Sequence, residues 1–491
     1  MGMLKSINLK NYKCFKDLKV GDADQLSLAP LTILCGVNSC GKSSIINSLL
    51  TLKQSYEDNS IGNSMRLNGK YIKCGNFQEV SFKKNKQPVT FSITYELNKR
   101  GRFIKGSSST VSKSDIQSQK ILSQLFGFSD DVSFVITSSV TLKQSQASEA
   151  VDQNILKEQI INITPIVKGN EYCSCHVHLK RNDPPAKTFR IEIQNLPIKG
   201  RDTIKEKVFR DVTCYFSNFY LTNAFIDRKD ISGIEISEVL NSLFTIFRAN
   251  SLQFQNIHYL TPLRVYPQSK YFLDYDPNSV GLSGEYTPAV MSKNWNSTKI
   301  NGFLPPECES SEENDFSVCI QKWMNYLGFG KYSMQSSEDV AQILINGYNI
   351  ANSGFGISQV LPILVEGLLQ KQGETLLLEQ PEIHLHPAAQ MQIADFLLAM
   401  VQHGKGLIVE THSDHIINRV VRRVLENAEL QDIVKIYFID QDEDGISSVQ
   451  DIQIDPHEGA ICENSKFFYQ FAIESEKILD AAYRNLEKDG E

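Results

Sequence analysis

Apolar positions along the chain recur with two periods, and the alternation of those periods predicts short strands interleaved with amphipathic helices. Near the start, SINLKNYKCF, LSLAPLTILCG and QPVTFSITYEL read as strands around a first helix, IINSLLTLKQ. The middle opens with the Ser-rich stretch SSSTVSKSDIQSQ. It continues through the alternating VSFVITSSVTLK, and ISEVLNSLFTIFRAN carries helical spacing. Residues 313–328 are expected to be helical and QILINGYNI to be a strand. Farther on, VLPILVEGLL is an apolar helix, while TLLL and GLIV are short apolar runs typical of strands buried on both faces. Val420–Glu426 reads as a helix face flanking the last strand. VKIYFIDQDEDGISSVQDIQI reads as a hairpin turning at Asp442–Gly445, and residues 464–486 as a closing amphipathic helix. There are no sustained heptads, so no long coiled-coil arm is expected, and no internal repeat occurs.

Composition narrows the class. With 491 residues, 41% hydrophobic and 22% charged, the chain can form two or three domains with a sizeable core. No apolar run is long enough to span a bilayer and the N-terminus alternates like a strand, so a soluble, cytoplasmic protein without a membrane partner is expected. The ten cysteines are scattered, and Cys35 and Cys40 flank a Gly-rich loop where a disulfide would disrupt; a reducing compartment follows. A net charge of −7 argues against wrapping nucleic acid with the whole surface but leaves room for a local basic patch.

The candidate chemistry begins where the apolar strand LTILCG runs into Gly36-x-x-x-x-Gly41-Lys42-Ser43 and then into a helix. Glycines let the backbone turn so that its N–H groups, through Gly36, Asn38, Ser39, Cys40, Gly41 and on to Ser44, face phosphates. Lys42 adds a point charge and Ser43 a hydroxyl for Mg²⁺, so a nucleoside triphosphate with Mg²⁺ is the expected ligand. A second Gly-rich turn, Ser353–Gln359 with Gly356 and Ser358, opens the apolar helix. Ser358 is expected as its cap, because Pro362 is tolerable only in a first turn. A third element, TLLLEQPEIHLHP, delivers acids at a strand end: Glu379 to hold Mg²⁺ through water, Glu382 to orient or deprotonate the attacking water. A fourth, Gly406–Val409, ends in Glu410-Thr411-His412-Ser413 and brings His412 to the same edge.

Taken in order, these motifs resemble the ATP-binding-cassette ATPase heads of the structural-maintenance-of-chromosomes, recombination-repair and overcoming-lysogenization-defect-like AAA proteins. The resemblance implies an α/β fold, a P-loop NTPase head with a mixed β-sheet and a large α+β insertion. Gly36–Ser43 would be Walker A, Ser353–Gln359 the signature, Leu376–Glu379 Walker B, His386-Pro387 near the D-loop and His412 the switch histidine. MLKSINLKNYKCFKD is similar to that family's opening strand, whose turn lies near adenine. The implied organisation is a first half-head at 1–100, an insertion at 101–340, a second half-head at 341–440 and a small C-terminal hairpin and helix at 441–491. Such heads bind ATP between two copies, so a homodimer with an ATP sandwich is implied. IHYLTPLRVYP, VGLSGE, SGFGISQVLPIL, LLLEQPEIHLHP and ETHSDHIINRV resemble a bacterial subfamily with a small C-terminal domain of unknown function, met in anti-phage modules of the Septu type beside a nuclease or other effector.

One position departs from the pattern. Gln380 stands where most cassette ATPases carry a glutamate, and an amide cannot act as a general base, which implies slow hydrolysis with ATP acting as a clamp. Glu382 is the substitute candidate. Arg264 in TPLRVYP is placed for a phosphate, a partner carboxylate or a surface ion pair. The alternative to a switch is a recombination-repair ATPase touching DNA directly, with KRGRFIKG and HLKRNDPPAK as candidate phosphate contacts and solvated loops as their blander reading. Cys173, Cys175, His176 and His178 have zinc-ligand chemistry, but a period of two splits them between strand faces. DEDG is too short for a calcium loop. A self-contained nuclease lacks an acidic cluster in the ~70 residues after the His412 strand and its helix, and a transport cassette fits neither the long insertion nor LEQPEIHLHP.

Overall fold

The computed structural model describes residues 3–57, 64–97, 113–128, 132–145, 154–182, 188–196, 203–217, 220–225, 240, 243–244, 252–273, 277–301, 303–306, 308, 313–337, 339–462, 477 and 479. The helical readings for ISEVLNSLFTIFRAN and 464–486 lie almost wholly outside these residues, as does the basic KRGRFIKG.

A mixed sheet carries the motifs. Its strands lie in the order Ile257–Leu260, Thr375–Glu379, Gly406–Glu410, Leu31–Gly36, Val434–Gln441, Ser447–Asp455 and Gly459–Ile461. The first five run parallel, and the last two continue as antiparallel partners. Period-two alternation decides which core each side chain joins. Leu31, Ile33, Cys35, Leu376, Leu378, Leu407 and Val409 enter one apolar cluster, while Leu34, Leu377 and Ile408 enter the other. Both faces are therefore covered, as the continuous apolar runs require.

The helix Lys42–Glu57 packs on one face through Ile45, Ile46, Leu49, Leu50 and Leu52. Helices Phe316–Tyr326, Phe355–Leu369, Pro387–Gln402 and Asp414–Glu426 cover the other. The last begins sharply because the Ser413 hydroxyl accepts from the Ile416 N–H. Its Arg419 and Arg423 clamp the carboxylate of Asp395, joining it to the helix before.

A second, all-antiparallel sheet starts with Met3–Tyr12 and Val89–Leu97. It continues through Val132–Gln144, Asn154–Val167, Cys175–Arg181, Phe189–Leu196, Ile204–Ser217 and Tyr220–Phe225. The stretch read as an insertion thus shares a sheet with the N-terminal strands, and Ile257–Leu260 within it forms the edge strand beside the acidic strand. Cys175 is buried while His176 and His178 lie on the opposite face, where His176 meets Asn162 and His178 meets Glu158. The hairpin Val434–Gln441 and Ser447–Asp455 turns through Asp442–Gly445.

Candidate functional site

At the carboxyl end of Leu31–Gly36 the backbone has no room for side chains. Gly36 has φ 139°, and a Cβ there would lie 1.9 Å from the Ile439 carbonyl oxygen. Gly41 has φ 110°, and its Cβ would meet Cys14 Sγ at 2.5 Å and the Phe15 ring at 3.1 Å. Both glycines are fixed by close approach as well as by turn geometry. The turn after the opening strand therefore lies against the phosphate loop. It is braced there by Ser447, whose N–H donates to the Cys14 carbonyl at 3.0 Å and whose hydroxyl donates to that of Cys40. Asn38 and Ser39 are exposed on the loop, Cys40 is buried, and Ser44 lies 3.7 Å from Cys14 Sγ.

Lys42 folds back on the loop. Its ammonium donates to the carbonyls of Gly36 at 3.0 Å and Val37 at 2.6 Å. Polyphosphate oxygens would compete for that charge as stronger acceptors. The Ser43 hydroxyl donates to Glu410 Oε1 at 3.0 Å.

Three carboxylates reach this edge. Glu379 ends its strand 8% exposed, accepts from the Tyr259 hydroxyl at 2.9 Å, and is pushed up to about 7 by burial and then by the Glu410 charge. Gln380 then takes a left-handed φ of 45°, and its N–H donates to the Glu410 carbonyl at 2.7 Å. The turn that follows returns Glu382 to the edge, where it accepts from the Thr411 hydroxyl at 2.9 Å and the His412 N–H at 2.6 Å. Burial raises Glu382 and Glu410 above the ordinary carboxylate range. Burial, followed by the charge of Lys42, holds His412 below the usual imidazole value. Glu379, Glu382, Glu410 and His412 thus share one sheet edge with Lys42 and Ser43, while Glu379 and Glu410 stand opposite each other in register.

Two expectations need correction. The Gly-Ser helix starts at Phe355 with Gly354 as its cap, four residues before the cap expected at Ser358, so Ser358 is inside the first turn and its hydroxyl donates to the Phe355 carbonyl at 2.7 Å. Pro362 consequently sits in the helix interior, where its ring packs on Gly284; a Cβ at Gly284 would be 2.4 Å from Pro362 Cγ. Burial of this apolar helix on its neighbours outweighs the lost helical hydrogen bond. Gly356 packs against the His384 carbonyl, 2.6 Å from a built Cβ.

The second concerns Arg264, for which burial rules out the surface ion pair among the readings left open. It is 3% exposed, and its guanidinium donates to the carbonyls of Glu379 at 2.8 Å and Gln380 at 3.4 Å. Its backbone pairs with the Gln359 side chain, so one residue ties the Gly-Ser helix to the end of the acidic strand.

A hydroxyl and carboxylates form an oxygen-only donor set, which suits a hard divalent cation such as Mg²⁺. Glu410 Oε2 is buried and has no hydrogen-bond partner among the described residues, so the edge retains an unsatisfied anionic acceptor. No three His, Cys, Asp or Glu side chains form a metal cage among the described residues. Nucleotide-bound Mg²⁺ is ordinarily held by one or two carboxylates, with phosphates and water completing the shell.

Comparison with known families gives a match to the AAA ATPase domain over residues 3–417. The chain belongs to the AAA ATPase domain family. It is an ATPase of α/β, P-loop NTPase type. No curated protein matches the sequence. Among solved structures, it is similar to an SMC head bound to the C-winged helix domain of ScpA, with 13% identity, 93% of this chain and 99% of that one covered, and a TM-score of 0.39. An SMC head domain from Thermotoga maritima gives 11% identity, 92% and 100% coverage, and a TM-score of 0.35. An Smc head with an extended coiled coil bound to the C-terminal domain of ScpA derived from Pyrococcus furiosus gives 10% identity, 98% and 100% coverage, and a TM-score of 0.39. No helix among the described residues of this ATPase is long and apolar enough to cross a membrane.

Motif reading assigned no role to Tyr259, Glu410 or Ser447 at this site. Glu410 carried a signal, since GLIVE repeats the pattern of TLLLE, with apolar residues closing on an acid at a parallel strand end. Tyr259 and Ser447 depend on chain pairings distant in sequence and left no local mark.

Proposed function

We propose that this ATPase is a nucleotide-controlled switch. ATP binds on the Gly36–Ser44 loop, and two copies close on it through the Gly354–Ser358 turn as a cytoplasmic homodimer. Lys42 and the loop N–H groups bind and orient the phosphates, Ser43 and Glu379 hold Mg²⁺, and His412 lies beside the γ-phosphate. When bound, Mg²⁺ supplies charge neutralisation for the transferring phosphoryl group.

The observation that carries the reading is the arrangement around the missing base. Gln380 has no basic oxygen to offer, and both oxygens of Glu382 already accept hydrogen bonds from Thr411 and His412. Each oxygen keeps a second lone pair, but these two bonds favour the ionised carboxylate and fix its direction, which weakens it as a base toward water and supports slow turnover and a long-lived closed state. Buried Arg264, joined to Gln359 and to the Glu379 carbonyl, gives a rigid route between the partner-facing turn and the acidic strand. The resemblance of LLLEQPEIHLHP and ETHSDHIINRV to bacterial anti-phage ATPases supports a defence role with a separate nuclease or other effector. The DNA-contact alternative gains no specific support: Arg181 donates to the Leu156 carbonyl and stacks on Phe189.

The test is solution mass and ATP turnover with and without ATP–Mg²⁺. Wild type should dimerise with slow turnover, and Lys42→Ala should neither bind ATP nor dimerise. Glu382→Gln should hold the dimer. Gly354→Arg should abolish dimerisation but not binding, because a Cβ there meets open space and the fold can accept it. A mass indifferent to bound ATP would refute the switch.

A further inference from the structure

Glu410 stands at the centre of the nucleotide edge, yet no motif claims it. Its strand is flanked on one side by the phosphate-loop strand, with Glu410 opposite Leu34, and on the other by the acidic strand, with Glu410 opposite Glu379. Its backbone is fixed from both sides: its carbonyl accepts from Gln380, and the next N–H, that of Thr411, donates to Leu34 at 3.1 Å. The residue is 3% exposed. One carboxylate oxygen accepts from the Ser43 hydroxyl at 3.0 Å, and the other is buried without a partner among the described residues.

An ionised carboxylate is costly to bury with half its acceptor capacity unused. A structural partner for Ser43 would need only the first oxygen. A serine hydroxyl has one proton and two lone pairs, so donating to Glu410 leaves the lone pairs free and sets their direction. Outer carboxylates that orient a ligand in this way tune the affinity of metal sites.

We propose that Glu410 is an unassigned member of the Mg²⁺–nucleotide site: one oxygen orients the Ser43 hydroxyl toward the cation, and the other accepts from a water of the cation's shell. Glu379 and Glu410 then hold the hydrated cation from adjacent strands, leaving Glu382 to the water and to His412. This inference rests on the nucleotide-binding reading above.

The test uses the full chain and reads binding, not turnover. Affinity for a fluorescent ATP analogue is measured in EDTA and in Mg²⁺, and Mn²⁺ affinity by electron paramagnetic resonance at saturating nucleotide. For Glu410→Gln, affinity in EDTA should stay within about twofold of wild type, whereas Mn²⁺ affinity should fall by about tenfold or more. Ser43→Ala should also lower Mn²⁺ affinity, and the double variant should lose clearly less than the sum of the two single ones, because both changes remove the Ser43–Glu410 contact while only Glu410→Gln also alters the contact to the shell water. Glu410→Asp, which keeps the charge but shortens the reach, should fall between and covers a failure of Glu410→Gln to fold. Unchanged Mn²⁺ affinity in folded Glu410→Gln, or full additivity with Ser43→Ala, would overturn the assignment. Failure of wild type to bind nucleotide at all would overturn the functional reading and this inference with it.

Discussion

Glu379→Gln separates what the acidic strand end does for function from what it does for stability. Glu379 is 8% exposed, and its carboxyl is held at about 7 by burial and then by the Glu410 charge, against an ordinary 4.5. That displacement corresponds to about 3 kcal/mol of disfavoured ionisation. The sign follows from proton counting. Between pH 4.5 and 7 the unfolded chain has released this proton and the folded chain retains it, so stability falls as pH rises through that window and levels off above about 7. Glutamine keeps an oxygen for the Tyr259 hydroxyl but carries no charge. Glu379→Gln should therefore match wild type near pH 4.5 and exceed its unfolding free energy by about 2–3 kcal/mol at pH 8, measured by urea denaturation in EDTA. Glu382 and Glu410 are shifted in the same direction; comparing the two proteins at each pH cancels the Glu382 contribution, while loss of the neighbouring Glu379 charge also relieves Glu410 and adds to the difference at high pH. Identical pH profiles for variant and wild type would refute the claim that this acid is kept against its own burial. A stabilising substitution that weakens Mg²⁺–nucleotide binding is what a functional acid in a dry site should give.

Two further substitutions test the frame around the edge. Gly36→Ala places a methyl on the Ile439 carbonyl in a backbone region closed to other residues, and should destabilise by about 2–6 kcal/mol and weaken nucleotide binding, read by denaturation and by the fluorescent analogue. Asp395→Ala removes a side chain that is 1% exposed and accepts from Arg419, Arg423 and the Tyr326 hydroxyl. It should cost about 3 kcal/mol of stability while leaving the Mg²⁺-free nucleotide affinity unchanged, since it strands two guanidinium groups far along the helix from the phosphate loop.

Local pattern was enough for much of this protein. A strand that turns tightly into a helix needs glycines where no Cβ fits, so the turn at Gly36 and Gly41 was legible from neighbouring residues alone. Apolar runs closing on Glu379 and before His412 likewise announce parallel strands, because burial on both faces removes the polar alternation. The start of the Gly-Ser helix was not legible, because packing of Pro362 on Gly284 and of Gly356 on His384 decides it, and these contacts cross long stretches of chain. Arg264 and Glu410 have the same origin. An arginine reads as a surface charge and a glutamate as one acid among many until the fold buries them between Gln359 and the acidic strand, or between Ser43 and Glu379. Sequence determined which groups are on offer to the proposed nucleotide site, since that chemistry lies in residue type and short spacing. Tertiary structure decided which carboxylate each group answers to, because strand order and register set distances that spacing along the chain cannot encode.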